Sequence, residues 1–145
     1  VGSRETGEAV REDLNLSQLL AEKDEDLARR LMRVRASALD IWEQPRLQWY
    51  TDHSASRHSE RIIQLLGQLT KDLQDQREQL TPAELYVLLA AAYLHDIGMQ
   101  DFRIDGRGPE EFGIADYDLI RNRHPERSKR LIVDRALSLG ADRDA

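Results

Sequence analysis

The stretch Thr81-Pro82-Ala83-Glu84-Leu85-Tyr86-Val87-Leu88-Leu89-Ala90-Ala91-Ala92-Tyr93-Leu94-His95-Asp96-Ile97-Gly98 decides how this chain is read. Thr81, Pro82 and Glu84 together form a helix start. The threonine hydroxyl takes an early backbone N–H, proline gives up a donor the first turn does not use, and the glutamate reaches back to the cap. Ten apolar residues then run from Leu85 to Leu94 with no polar face, so their helix belongs at the centre of a bundle. It ends on an ionisable pair, His95-Asp96, and Gly98 suits a left-handed cap. An ionisable pair delivered by a buried helix needs a partner or a metal.

Upstream, Leu14, Leu16, Leu19, Leu20, Leu27, Leu31, Val34, Ala38 and Ile41 return mostly at spacings of three and four. That predicts helix from about 14 to 44, ended by Pro45. The charged run at 23–26 predicts a break, with Asp24 or Asp26 capping the second half. Residues 46–56 read as a linker holding Trp49, Tyr50 and His53. A helix over about 56–73 follows, apolar at Ile62, Ile63, Leu65, Leu66, Leu69 and Leu73, with His58 one turn before Ile62 on the same stripe. Residues 99–114, with Gly106, Gly108, Pro109 and Gly113, read as loop. A short helix is expected at 116–123. Pro125 opens a last one, with Leu131, Ile132, Ala136 and Leu137 inward and Gly140 stopping it. No segment of convincing length alternates with strand period, so the fold class is all-α, a helical bundle.

A chain of 145 residues makes one domain whose core can fold without staples. It has no cysteine, which excludes disulfides, thiolate zinc sites and cysteine nucleophiles. The net charge of −6 argues against generic coating of nucleic acid but leaves room for a local basic site. No apolar run approaches the ~18 residues of a membrane span. No signal peptide is visible, and a cytoplasmic home is expected. Residues 1–12 read as a disordered tail or an expression scar, 13–45 as N-terminal helices, and 46–145 as a metal-binding core. The start at Val1-Gly2-Ser3 and the stop at Ala145 suggest a piece of a longer protein, with a downstream domain as partner.

The four histidines sit at helix ends or beside them: His53 in the linker, His58 opening one helix, His95 closing the apolar one, His124 opening the last. Helix ends gathered on one side of a bundle are a natural metal site. Imidazoles with a carboxylate suit Mn, Fe, Zn or Ni, and carboxylate-rich sets suit Mg. A divalent metal so held acidifies water and polarises a phosphoryl oxygen, a direct route to phosphoester hydrolysis. The alternative is a satisfied core pair, since His-Asp dipeptides also arise by chance.

Arg121, Arg123, Arg127, Lys129 and Arg130 cluster around His124. Arg123 and Arg127 are the candidates for a substrate phosphate, because guanidinium forks match phosphate oxygens. The competing reading is a solvated helix face paired with Glu126 and Asp134. Arg57 and Arg61 flank His58, and Arg61, turned off the apolar stripe, is expected to face solvent rather than substrate. Trp49 and Tyr50 could stack on a base, but more simply pack the linker onto the core. The loop with Asp101, Asp105, Gly106 and Gly108 reads as a lid or a ligand source. It is not a phosphate loop, lacking the Lys-Ser/Thr ending. No Gly-x-Ser-x-Gly occurs, so serine-triad chemistry has no support.

Three stretches, YTDHSASRHSERII at 50–63, AAYLHDIGM at 91–99 and RHPERSKRLI at 123–132, resemble the HD superfamily of metal-dependent phosphohydrolases. The likeness covers about residues 46–138. The order of the histidine motifs looks like the subgroup with the HD-GYP cyclic-dinucleotide phosphodiesterases. The YTDHS and YLHDIGMQ wording is closer still to bacterial HD domains fused to chaperone-like ATPase modules. No Gly-Tyr-Pro element is present, so cyclic-di-GMP specificity is not implied.

By this resemblance His58 is the first metal histidine, and His95-Asp96 is the pair that names the superfamily, with Asp96 bridging two metals and positioning the nucleophile. His124 ligates the second metal. His53 resembles an upstream histidine used as an acid for the leaving group, so the catalytic candidates are Asp96 and His53. The superfamily completes its site with a later Asp, and two-metal members add further histidines. Asp134, Asp142 and Asp144 are the aspartates that follow His124, and the remaining ligands are expected beyond residue 145. The implied activity is hydrolysis of a nucleotide, a cyclic nucleotide or a nucleic-acid end. The alternative is a degenerate HD module used for regulation or protein interaction in a larger signalling or defence protein.

Overall fold

Asp24 divides the N-terminal leucine series into two helices. Its backbone is extended and its carboxylate accepts the Leu27 N–H at 3.0 Å, so it caps the second helix as the charged run predicts. The computed structural model describes residues 15–43, 50–75, 79–101 and 106–135, without the side chains of 73–75. Helix α1 spans Leu16–Lys23 and α2 spans Glu25–Glu43. A 3-10 turn at Thr51–His53 and a π-turn at Ala55–Ser59 lead into α3, Glu60–Asp75. Helix α4 is Pro82–Leu94, followed by a 3-10 turn at Ile97–Gln100 and another at Pro109–Glu111. Helices α5, Ile114–Asn122, and α6, His124–Asp134, complete an all-α bundle. The expectations on the 1–12 tail, Leu14, Pro45, Trp49, Asp105, Ala136, Leu137, Gly140, Asp142 and Asp144 lie outside the described residues.

The capping box of α4 forms in both directions. Thr81 Oγ1 accepts the Glu84 N–H at 3.2 Å, and Glu84 Oε2 accepts the Thr81 N–H at 2.8 Å. Helix α4 buries Leu85, Tyr86, Leu89, Ala90, Ala92, Tyr93 and Leu94, and packs against α1, α2 and α3. Leu16, Leu20, Val34, Ala38, Leu85, Leu89, Ile97 and Ile120 are fully enclosed. Each large one among them contributes about 1.5–3 kcal/mol relative to exposure. The expectation that α4 is buried all round needs one correction. Val87 is 64% exposed and Ala83 and Ala91 face outward, because the three packed neighbours leave one flank uncovered. On α3 only Ile63 of the apolar series is buried; Leu65 and Leu69 are exposed, and the Leu73 side chain is not described.

Gly98 also departs from expectation. It is not a left-handed cap, since the one described glycine with positive φ is Gly106 at 72°. Gly98 is a close-approach glycine instead: a Cβ there would lie 2.5 Å from the His124 carbonyl oxygen and 2.7 Å from Ser128 Oγ. Its missing side chain is what lets α6 settle on the turn after His95-Asp96.

Candidate metal centre

Asp96 is 4% exposed, at the junction between α4 and the Ile97–Gln100 turn, and four imidazoles face its carboxylate. His53 Nδ1 is 2.9 Å from Oδ2, His95 Nε2 3.0 Å and His58 Nε2 3.3 Å. His124 Nε2 lies 3.2 Å from the other oxygen, Oδ1. The donor atoms of His53, His58 and Asp96 all lie within 4.8 Å of one another. His95 and His124 reach the carboxylate individually. The ring centroids of His53 and His58 are 4.9 Å apart, and those of His58 and His95 5.4 Å.

Local structure explains the convergence. The π-turn places His58: its N–H bonds Ser54 O at 2.8 Å, and the Glu60 N–H reaches back to Ala55 O, the wide spacing of a π-turn. This element differs from the regular helix expected from residue 56, and π-bulges recur at functional sites. His95 lies just past the end of α4, with its Nδ1–H donated to Ala92 O at 2.9 Å. His124 opens α6 with its Nδ1–H donated to Arg121 O at 2.6 Å.

Those two backbone bonds settle a tautomer, because a carbonyl oxygen only accepts. In neutral His95 and His124 the proton is therefore on Nδ1, and the bare lone pair of Nε2 faces a carboxylate oxygen. Lone pair against lone pair at 3.0–3.2 Å is repulsive unless a proton or a cation lies between. Backbone-anchored imidazoles with a free Nε2, grouped on one carboxylate, are the usual dress of a metal site. The donor set thus fits a divalent ion of the Mn, Fe, Zn or Ni kind. Three imidazoles approach Oδ2 of Asp96 and one, His124, approaches Oδ1.

The charges point the same way. Burial pushes the Asp96 carboxyl up, but hydrogen bonds from His95 and His53 and their charge outweigh it and hold it at about 2. The Asp96 hydrogen bond raises His95 against the opposing effect of burial. Burial lowers His58, with His53 and His95 adding to the effect and Asp96 opposing it. The cluster keeps one firmly ionised acid beside an imidazole that favours its neutral, ligating form.

The residues matched by the family model are 45–145, more than two-thirds of the chain, and the model is that of HD-CE, an HD-type domain. The chain belongs to the HD-CE family. No curated protein and no solved structure matches it. The HD-CE span contains all four histidines and Asp96. Among the described residues, no helix is long and apolar enough to cross a membrane.

Other residues read from the HD-CE sequence fall out differently. Arg123 is exposed beside His124 and 3.6 Å from Glu126. Arg127 shares a depression of about 230 Å3 with it, yet points inward. It is 8% exposed, and its guanidinium donates to Gly98 O at 3.4 Å and to Asp101 O, so it latches α6 onto the turn rather than facing a phosphate. Asp101 is buried against Arg130, 3.1 Å away, and does not join the cluster. Asp134 is exposed, about 15 Å along α6 from His124 at 1.5 Å per residue. Tyr50 packs the linker down, as its bland reading expects: its hydroxyl donates to Tyr117 O at 3.1 Å and Arg121 lies over its ring.

Sequence reasoning missed Ser128 and the Glu60 network. Ser128 Oγ accepts the Gly98 N–H at 2.9 Å and donates to His95 O at 2.6 Å. Its spacing of four from His124 was the available signal, since it puts both on one helix face. Glu60, at the end of the π-turn, accepts from Arg35 Nε at 2.8 Å and from Tyr93 OH at 3.0 Å. Burial and Glu60 push the Tyr93 hydroxyl up to about 12.

Proposed function

We propose that this HD-CE domain is a metal-dependent phosphohydrolase acting on phosphoesters of nucleotide type. One observation carries the reading: a buried carboxylate, Asp96, meets four imidazoles from three separate parts of the chain. His58, His95, Asp96 and His124 would hold the ion or ions. When bound, such an ion lowers the pKa of water and polarises a phosphoryl oxygen.

The chain's own groups supply the rest. Asp96, ionised at neutral pH, orients the attacking water by accepting its hydrogen. His53 donates Nδ1–H to Asp96 and turns Nε2 outward toward Asp52, 3.9 Å away, where, with the ring in its imidazolium form, the Nε2 proton can pass to a leaving oxygen and leave the neutral imidazole behind. The histidine side chains are 25–36% exposed, so the cluster opens to solvent on one side. Arg123 stands next to His124 but pairs with the exposed Glu126 at 3.6 Å, a partner it would exchange for a phosphate oxygen.

Metal analysis of the purified protein tests this, together with Mn2+-dependent hydrolysis of bis(p-nitrophenyl) phosphate. Wild type should carry metal and turn over, and His95→Ala and Asp96→Ala should do neither. Equal and negligible metal in all three rejects the proposal. A regulatory or docking role draws support from one fact: among the described residues Asp96 is the one acid in the cluster. Metal binding without turnover would favour that second reading.

A further inference from the structure

Two guanidiniums beside His58 carry charge that the fold does not use. Arg57 immediately precedes His58 in the π-turn, and Arg61 follows Arg57 by one helical turn. Both line an open groove of about 450 Å3 with Asp52, His58, Glu60 and Gln64. Both are exposed, and among the described residues neither guanidinium makes a hydrogen bond or ion pair. Arg29, Arg35, Arg107, Arg123 and Arg130, by contrast, are each paired with an acid. The acid of their own turn is diverted: Glu60 is held by Arg35 and Tyr93 from α2 and α4. Asp52, at the rim, faces His53. The solvent-facing expectation for Arg61 holds, and Arg57 is exposed with it: both forks stand unpaired in an open groove beside His58.

We infer that this groove is a subsite for a second phosphate, so that the ligand is a phosphate chain, in a nucleoside polyphosphate or a nucleic-acid strand, rather than a monophosphate. The inference rests on the phosphohydrolase reading: with the scissile phosphate at Asp96, a chain running past His58 meets Arg57 and Arg61 next. Guanidinium forks bind phosphate oxygens in pairs, and an unpaired guanidinium has no internal partner to give up first.

The experiment uses the full chain, treated with chelator, at low salt. Fluorescein-labelled tetrathymidylate is followed by anisotropy and inorganic tripolyphosphate by calorimetry. Wild type should bind at least one of them, and the preferred probe identifies the source of the chain. Arg57→Gln with Arg61→Gln should weaken binding tenfold or more, each single variant by less, and Lys129→Gln not at all. For strand binding, the slope of log K against log salt should fall by about 1.4 for two lost contacts. Wild type binding neither probe overturns the inference, as does a double variant within twofold of wild type. Mn2+ titration of the same proteins separates the two readings. Wild type that takes Mn2+ but no phosphate chain overturns the subsite alone, and wild type that binds a chain but no Mn2+ overturns the metal centre alone. A double variant that loses Mn2+ as well shows the arginines acting through the fold and also overturns the subsite.

Discussion

Ser128→Ala removes one hydroxyl that serves two backbone groups of the signature turn. Ser128 is 3% exposed, accepts the Gly98 N–H at 2.9 Å and donates to the His95 carbonyl at 2.6 Å. Alanine fills nearly the same space, so the cost is electrostatic: a buried donor and a buried acceptor lose their partner. An orphaned buried group costs about 1–3 kcal/mol, and the carbonyl keeps a second lone pair, so about 2–4 kcal/mol is expected in all. Against a total stability of about 5–15 kcal/mol this is large. At this size 1 kcal/mol moves Tm by about 3 °C, so the melting temperature should fall by about 6–12 °C. The same hydroxyl ties α6, which carries His124, to the residue that names the motif. Loss of an outer-shell partner of this kind should also weaken Mn2+ binding by about 10–100-fold. Far-UV circular dichroism with urea and heat reads the first effect, and calorimetric Mn2+ titration the second. A variant that melts within about 2 °C of wild type and keeps its metal affinity would refute the argument that α6 is latched through Ser128.

Gly98→Ala should be worse than an ordinary glycine substitution, because its Cβ must displace the His124 carbonyl; a loss of about 1–3 kcal/mol or more in urea titration is expected. Arg127→Met leaves the Gly98 and Asp101 carbonyls without their buried donor, while Arg130 still pairs the Asp101 carboxylate, and should destabilise by about 1–3 kcal/mol. An unchanged urea midpoint would return Arg127 to the list of phosphate ligands. The Thr81 N–H and hydroxyl hold the Glu84 carboxyl below its ordinary value, so its contribution is full above the unfolded pKa and drains away as pH falls through the folded one. Glu84→Gln should flatten that acid limb in a pH series of urea midpoints. Chelator should speed amide exchange in the 51–59 turns and at the start of α6 while leaving α2 and α4 slow, and uniform acceleration would contradict a local metal effect.

The fold was legible because its helices are bounded by residues whose chemistry is local. Asp24, Thr81, Pro82 and Glu84 act within one turn of themselves, and each does what its type predicts. The imidazole cluster on Asp96 was legible as a list of residues, because the four histidines all stand at or beside helix ends that the apolar pattern brings together. What the sequence hid is tertiary. Arg127 reads as surface from composition, and only the position of the Ile97–Gln100 turn makes it an interior latch. Gly98 reads as a cap until α6 is placed against it. That Glu60 faces away from Arg57 and Arg61 is visible only in the fold. Val87 breaks the all-buried reading of α4 because periodicity reports apolar content, not how many neighbours arrive.

The contacts around Gly98, Ser128, Arg127 and Glu60 share one role. An imidazole cluster around a buried carboxylate is under internal stress: the Nε2 atoms of His95 and His124 crowd oxygens that repel them unless a proton or a cation intervenes. Left to itself, such a cluster would relax by swinging its rings outward. The bonds that prevent this lie outside the donor set. Ala92 O and Arg121 O hold two rings by their far nitrogens. Ser128 and Arg127 hold α6 against the turn, and Glu60 holds the π-turn against α2 and α4. On the metal-binding proposal an order of events follows: folding would assemble the site before an ion arrives, rather than the ion folding the site. Metal should therefore add to the stability of an already native protein, by mass action on the folded state, and its removal should loosen the site without dissolving the bundle.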